Sequence, residues 1–473
     1  MLTYSFDNRN GESLYEYLYH CLKNDIISGV LAPNEKLPSK RVFANNHGIS
    51  IVTVENAYGQ LMAEGYIYSK AKSGYYVSPI QSPIAASDAM TDFSISPSQK
   101  PVPEGINLVS NHTAPENFPF SIWAKLTRQL LSEQNPNLLT PPPSCGVLEL
   151  RTAIARHLHD FRGIDASPEQ IIVGAGSEYL YGLIVQLLGR DRIYGLENPS
   201  SKKIRSIYQA LGVKVAPLEM DEEGVLLTAQ NLTVPDIIQI SPSHHFPTGI
   251  VTSVSRRYGL LQWANEANTR YIIEDDYDSE FRLQGKPIPS LFSMDTTGKV
   301  IYFNTFSKSL ASTIRVSYMV LPKSLLNLYY NKLGFYACTV SNFEQYTLAA
   351  FIGQQYFEKH INRLRNHFRS LRDALIDGLK KSVLSGRIAI SEEHAGLHFL
   401  LHIKTEKTDS ELKQSAADHG VILSFVSDYY SLDFKSDIRR YAHTAIINYS
   451  GLVENDIPKV IEKLCLAWNE PIA

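Results

Sequence analysis

The sequence predicts an α/β protein in two parts: a small helical N-terminal module ending in a hairpin, and a large domain built on a mostly parallel sheet. Three observations carry this. Three helical stretches with caps and glycine stops lie before Tyr66, and two short aromatic runs follow them. A stretch rich in proline and serine comes next. Beyond it, short β-branched runs alternate with helical ones, the pattern of a layered sheet whose ligands gather at the carboxyl ends of strands. The boundaries read as 1–78, a linker over 79–107, and 108–473.

In the first part, Leu14, Leu18, Cys21 or Leu22, and Ile26 recur at three- and four-residue steps, and Gly29 and Pro33 end that helix. Ser39 caps a second helix with Val42 and Phe43 turned inward. His47-Gly48-Ile49 makes a tight turn. Ser50 caps a third helix, Ile51 to Glu64, with Val54, Ala57, Tyr58 and Leu61 on its apolar side, and Gly65 stops it. Tyr66-Ile67-Tyr68 and Tyr75-Tyr76-Val77, broken by Lys70 to Gly74, read as a hairpin.

Two short helices joined by a tight turn and followed by a basic-tipped hairpin make a winged helix-turn-helix. The other reading is a helical packing module with a solvated hairpin. In the first reading the third helix enters the major groove by its N-terminal end, with Ser50, Thr53 and Asn56 toward the bases. Lys40 and Arg41, next to the Ser39 cap, and Lys70, Lys72 and Ser73 of the wing then meet phosphates. Acidic and basic residues balance over this module, so binding is expected to rely on dimers. The module resembles the GntR-type winged helix, in Leu37-Pro38-Ser39-Lys40-Arg41, Ile49-Ser50, Thr53-Val54, Ala57-Tyr58, Leu61, Glu64-Gly65 and Gly74-Tyr75-Tyr76-Val77. It departs at Ile51, where that family often has a basic residue.

The linker reads as an extended tether, long enough for one chain's head to reach another chain's body, with Asp92-Phe93-Ser94-Ile95 as a weakly docking piece. Composition excludes other classes. A 44% hydrophobic and 20% charged chain is an ordinary globular protein. A net charge of -3 leaves no global basic field, so nucleic acid must meet a local surface. Cys21, Cys145, Cys338 and Cys465 are scattered without zinc spacing and point to a reducing compartment. The first residues lack a signal-peptide pattern and no apolar run is long enough to span a bilayer. The expectation is a cytoplasmic protein with no membrane contact and no metal.

Four strand ends of the large domain carry chemistry. After Ile171-Ile172-Val173, the loop Gly174-Ala175-Gly176-Ser177-Glu178 opens a helix, leaving N–H groups at Gly176, Ser177 and Glu178 for a phosphate. Such turns are common, and alone this one decides nothing. After Ile237 to Ile240 comes Ser241-Pro242-Ser243-His244-His245-Phe246-Pro247-Thr248-Gly249, whose histidines fit plain loop or core roles. Tyr271-Ile272-Ile273-Glu274 leads into Asp275-Asp276-Tyr277-Asp278. A carboxylate there suits a pyridinium N–H, and a cation site or a solvated loop are the other readings. Val300-Ile301-Tyr302-Phe303 leads into Asn304-Thr305-Phe306-Ser307-Lys308-Ser309-Leu310, with Arg315 following. There an amine could form a Schiff base while Thr305, Ser307 and Arg315 hold a phosphate. On its own that stretch fits a surface lysine equally well. Together and in order, the four point to pyridoxal 5'-phosphate (PLP).

This order resembles the fold-type I, aspartate-aminotransferase-like PLP proteins over about Asn107 to Ala473. The resemblance implies that Lys308 forms the internal aldimine, Asp275 pairs with the pyridine nitrogen, Tyr277 contacts the ring oxygen, and Gly176, Ser177, Thr305, Ser307 and Arg315 bind phosphate. A GntR head on such a body resembles the MocR/GabR family of bacterial transcription regulators over essentially the whole chain. Glu274-Asp275-Asp276-Tyr277-Asp278-Ser279-Glu280-Phe281 and Thr305-Phe306-Ser307-Lys308-Ser309-Leu310 are particularly close. That family implies a head-to-tail, domain-swapped homodimer on repeated operator half-sites of double-stranded DNA. Its effector would be an amino compound, among them γ-aminobutyrate, other amino acids and taurine-like amines, or PLP itself.

The departures are informative. Phe246 stands where aminotransferases carry an asparagine against the ring oxygen, and Ser200-Ser201 where an aromatic usually stacks. Ile446 stands where many carry the substrate-carboxylate arginine; Arg205 and Arg440 are the first substitutes to consider, beside Arg439, Lys202 and Lys203. These losses favour ligand sensing over transamination. An aminotransferase with an accessory head would show steady turnover, and a scaffold with a dead cofactor site would be colourless.

Overall fold

The computed structural model describes residues 4–6, 11–79, 105–109, 114–227, 234–283, 285, 288–394, 396–431 and 438–469. Most of the expected linker, the piece at Asp92–Ile95 and the Arg439 side chain lie outside the described residues. The chain divides into two compact units, Met1–Pro101 and Val102–Ala473.

In the first unit, α1 (Leu14–Ile27), α2 (Lys40–His47) and α3 (Ile51–Ala63) precede the antiparallel strands β1 (Ile67–Lys70) and β2 (Gly74–Val77). The caps fall where the hydroxyls do. Ser39 Oγ accepts from the Val42 amide at 3.3 Å and Ser50 Oγ from the Thr53 amide at 3.0 Å. Gly48 closes α2 at φ +63°, a left-handed conformation that glycine adopts without strain. Leu18, Leu22, Ile26, Phe43, Val54, Ala57, Tyr58 and Leu61 form the core, and Tyr58 donates its hydroxyl to the Pro38 carbonyl at 3.0 Å. One expectation is corrected. Val42 does not turn inward: at 100° per residue Phe43 and Ala44 take the core side of α2, and Val42 is 51% exposed.

The second unit is built on seven strands. Their spatial order is Ile171–Gly174, Ser317–Val320, Val300–Thr305, Tyr271–Asp275, Ile237–Ile240, Ile193–Glu197 and Lys214–Leu218. Only Ser317–Val320 runs antiparallel to its neighbours. Both faces are covered, which explains the unbroken apolar runs. Tyr302 packs into one core, with Leu150, Ile154 and Phe368. Ile301 and Phe303 pack into the other, with Leu180, Ile184 and Tyr208. A second, four-stranded antiparallel sheet has the order Ile388–Ser391, His398–Ile403, Thr444–Asn448, Ser424–Phe425. No helix among the described residues is long and apolar enough to cross a membrane.

The acidic run after Ile273 is divided by strand alternation. Glu274 accepts from the Leu291 and Phe292 amides at 2.8 Å each, capping the helix Leu291–Met294. Asp276 accepts from the Tyr302 hydroxyl at 2.7 Å and faces Arg162 Nε at 2.9 Å, with both side chains almost wholly buried. Glu274 and Asp276 therefore pin the body's architecture, and Asp275 alone of the three lines the cavity described next.

Candidate functional site

Parallel strands end on one edge of their sheet, so residues far apart in sequence meet there. A cavity of about 330 Å³ opens at this edge. Ser177 and Glu178 enter it from the first turn of the helix Ser177–Leu188, Glu197 from its strand end, and Gln239 from the strand Ile237–Ile240. Asp275 and Tyr277 follow the next strand, and Thr305, Ser307, Lys308 and Arg315 follow Val300–Thr305. His398 and Asn448, directly opposite each other in the four-stranded sheet, complete it. The body's larger groove, about 1000 Å³ between the helices Leu148–Arg162, Asn342–Gly353 and Tyr356–Lys381, shares no lining residue with this cavity.

The chemistry of the lining groups fits PLP. Burial pulls the Lys308 amine down to about 8, against the opposing pull of Asp278 and Asp275, so a neutral, nucleophilic amine is within reach near neutral pH. Burial pushes Asp275 up to about 6, while donation by Tyr181 (2.9 Å) and Gln239 (3.3 Å) holds it back. Gln239 in turn accepts from the Tyr208 hydroxyl at 2.6 Å, so the carboxylate is fixed toward the cavity. Gly176 sits at φ +87°, and a Cβ there would lie 2.5 Å from Arg315 Nη2. The backbone and the guanidinium thus share a cradle only glycine permits. Arg315 itself holds φ +54°, and the Phe306 amide bound to the Val316 carbonyl at 2.9 Å closes the loop around Lys308. Thr305 Oγ1 is a hub, donating to Ser307 Oγ at 2.9 Å and accepting from Ser317 Oγ at 2.8 Å.

The head presents the other surface named from sequence. Arg41, Asn56, Lys70 and Lys72 are exposed. Lys40 is tied to Glu55 at 2.5 Å and lies 5.5 Å from the Tyr75 ring centre, stapling α2, α3 and the wing. The Ser50 and Thr53 hydroxyls bind each other at 2.8 Å, the Ser39 hydroxyl is taken by its cap, and Ser73 Oγ meets Tyr76 OH at 2.6 Å.

The aminotransferase class I and II family matches residues 103–444, and the bacterial regulatory proteins of the gntR family match residues 14–77. The HTH-type transcriptional regulator YdeL of Bacillus subtilis is 37% identical over 458 residues, 96% of each chain. The chain belongs to the MocR/GabR-type transcription regulators. The probable rhizopine catabolism regulatory protein MocR of Rhizobium meliloti is 28% identical over 96% of this regulator and 94% of that protein. The fold is that of the kynurenine aminotransferase of Pyrococcus horikoshii, solved in complex with PMP: TM-score 0.66, 23% identity, 77% of this chain and 91% of that one. This is a DNA-binding regulator whose cofactor is PLP.

The remaining sequence expectations separate on the regulator's geometry. Arg205 and Arg440 do not line the cavity; Arg440 faces Glu222 at 3.6 Å. Lys203 does line it, and it shares Glu178 with Arg315, whose distance to that carboxylate is 3.0 Å. Ile446 is buried in a small apolar cluster with Leu400, Val426 and Tyr430. The histidines are core groups: His244 Nδ1 lies 2.7 Å from Asp278 Oδ2, and His245 Nδ1 lies 2.7 Å from Thr248 Oγ1. Burial opposes charge on His244, but Asp278 outweighs it and the net direction is up; burial pushes His245 down to about 3. Phe246 packs edge-on against His398 and Tyr429. Tyr181, Gln239, Glu197 and His398 escaped the sequence reading. Only Gln239 carried a signal, as the one polar residue in an apolar strand.

Proposed function

We propose that the regulator senses an amino compound, or PLP itself, in the Lys308 cavity, and that occupancy changes the affinity of its heads for operator DNA. In this reading Lys308 carries the cofactor, Asp275 faces its ring nitrogen, and Tyr277 its ring oxygen. Gly176, Ser177, the Glu178 amide, Thr305, Ser307 and Arg315 receive its phosphate. PLP supplies an aldehyde and an electron-withdrawing ring. The protein's residues orient the ring, hold the amine near neutrality and compensate the phosphate. On the head, Ser39, Lys40, Arg41, Ser50, Thr53, Asn56, Lys70, Lys72 and Ser73 form the DNA-facing edge, and two heads of a domain-swapped homodimer engage paired half-sites. The division of the chain into a head at 1–78, a tether that ends before the strand Ile106–Asn107, and a sensor that runs from that strand to 473 belongs to the same reading.

One observation carries it: a downshifted lysine, a buried carboxylate and an arginine held against a glycine turn converge at one cavity, while position 446 holds an isoleucine buried in an apolar cluster. Without that arginine a substrate carboxylate is poorly held for turnover, which favours sensing. A ligand shifts DNA affinity only by its differential affinity for two states. The test is the visible absorption of the purified protein titrated with amines and amino acids, run beside DNA binding, with Lys308→Ala as control. A lasting band shift with one compound, together with a change in DNA affinity, supports the proposal. A band that appears only on adding PLP assigns PLP as the signal. Bleaching with turnover favours an aminotransferase, and no band in any condition overturns the Lys308 assignment.

A further inference from the structure

Among the exposed apolar side chains of the head are Val42 in α2, and Ile51 and Val52 in the first turn of α3, the last 62% exposed. β-Branched residues on an exposed helix turn contribute nothing to helix propensity, so packing and local structure give no reason for them. The outward arc of α3 shows what they accompany. At 100° per residue, Val52, Glu55, Asn56 and Gly59 lie on the side away from the buried Val54, Ala57, Tyr58 and Leu61, and Ile51 stands at the edge of that arc beside Tyr58.

Most polar groups at this end are already engaged. Glu55 is held by Lys40, and the Ser50 and Thr53 hydroxyls hold each other. A Cβ at Gly59 would meet nothing within 4 Å, so that glycine is not needed for packing and leaves the arc low. The arc therefore offers methyl groups and one amide, Asn56, and the head also exposes the cations Arg41 on α2 and Lys72 in the wing. In the major groove, the matching surface is the 5-methyl group of thymine beside the N6 and N7 edge of adenine, between rows of phosphates.

We propose that Ile51 and Val52, with Val42 on the neighbouring helix, read thymine through its 5-methyl group, and that Asn56 reads adenine, so that the half-site under the first turn of α3 is built of A·T pairs. This rests on the DNA-binding function of the head and adds which bases it selects.

The test uses the intact, PLP-loaded protein to select duplexes from a random library. Thymines of the selected half-site are then replaced singly by deoxyuridine, which removes only the methyl. At one or two positions the replacement weakens binding about three- to fourfold, the size of one lost methyl contact. Val52→Ala or Ile51→Ala erases that difference at its own position and leaves the salt dependence of binding unchanged, because no counterion is involved. Equal affinity for thymine and deoxyuridine at every position overturns the proposal. So does a half-site without thymine at its centre, or a difference that survives both substitutions. Failure to bind any duplex would instead defeat the DNA-binding role itself. Both side chains are exposed, and an unchanged circular dichroism spectrum verifies that each variant folds.

Discussion

Replacing Gly176 by alanine tests the phosphate cradle without removing a side chain from it. At φ +87° alanine is strained by roughly 1–2 kcal/mol. Its Cβ would also lie 2.5 Å from Arg315 Nη2 and 2.7 Å from Cζ, so the guanidinium must swing away and leave Glu178. That ion pair is nearly half exposed, and solvent screening limits its loss to about 0–1 kcal/mol. The cofactor-free protein should therefore lose about 1–3 kcal/mol. PLP binding should fall as well, because the displaced cation no longer meets the phosphate. A hydrogen bond to a charged group is worth about 1.5–3 kcal/mol, or roughly ten- to a hundredfold in affinity. Arg315→Ala removes the same contact by another route. The double variant should bind PLP no more weakly than Arg315→Ala alone, giving a coupling energy of about 1.5–3 kcal/mol. Titration of the four proteins with PLP, followed by absorption, measures the cycle, and thermal unfolding of the cofactor-free forms measures the strain. Losses in PLP affinity that add to within about 0.5 kcal/mol would refute the shared cradle.

Burial holds Lys308 at about 8, so roughly a tenth of the amine is neutral at pH 7 and nine tenths at pH 9. PLP uptake should accelerate about tenfold across that interval and then level off; a rate still climbing steeply at pH 10 would mean an ordinary lysine. Asp275 titrates near 6 when folded and near 3.9 when unfolded, so its ionisation costs stability progressively between about pH 4 and 6 and in full above that. Asp275→Asn should stabilise the cofactor-free protein by up to about 3 kcal/mol at pH 7, with the gain gone by pH 4, and should weaken PLP binding. Denaturant unfolding at the two pH values checks the sign, and destabilisation at pH 7 would contradict it. Tyr58→Phe strands the Pro38 carbonyl inside the head and should cost about 1 kcal/mol by the same measurement; parental stability would mean that water reaches that carbonyl.

The sequence made the strand-end chemistry legible because each motif is local. A strand, a turn and the groups just beyond it fall within about ten residues, and turn geometry fixes them. The caps of α2 and α3 were legible for the same reason. What the sequence hid depends on tertiary placement. The partner of Lys40 is Glu55, fifteen residues ahead, and only the packing of α3 on α2 brings them together. Tyr181 reaches Asp275 from a helix whose pattern reads as uniformly apolar. Residue pattern alone does not separate the three adjacent carboxylates, and the family resemblance names Asp275; pleating sends Glu274 and Asp276 into the architecture and Asp275 to the cavity. Val42 misled because a β-branched residue reads as core when its helix is too short to show a full period.

The head's core has a consequence for the order of synthesis. Among the described residues, its buried apolar side chains lie between Leu18 and Val77. The body closes over long separations: Ile106–Asn107 pairs with Val421–Ile422, and Ile171–Gly174 pairs with Ser317–Val320. When residue 77 has been added, roughly 400 residues of this sequence remain to be made, which takes about 20–80 s. The core residues of the DNA-reading module are therefore all made before the first residue of the PLP cavity, Ser177.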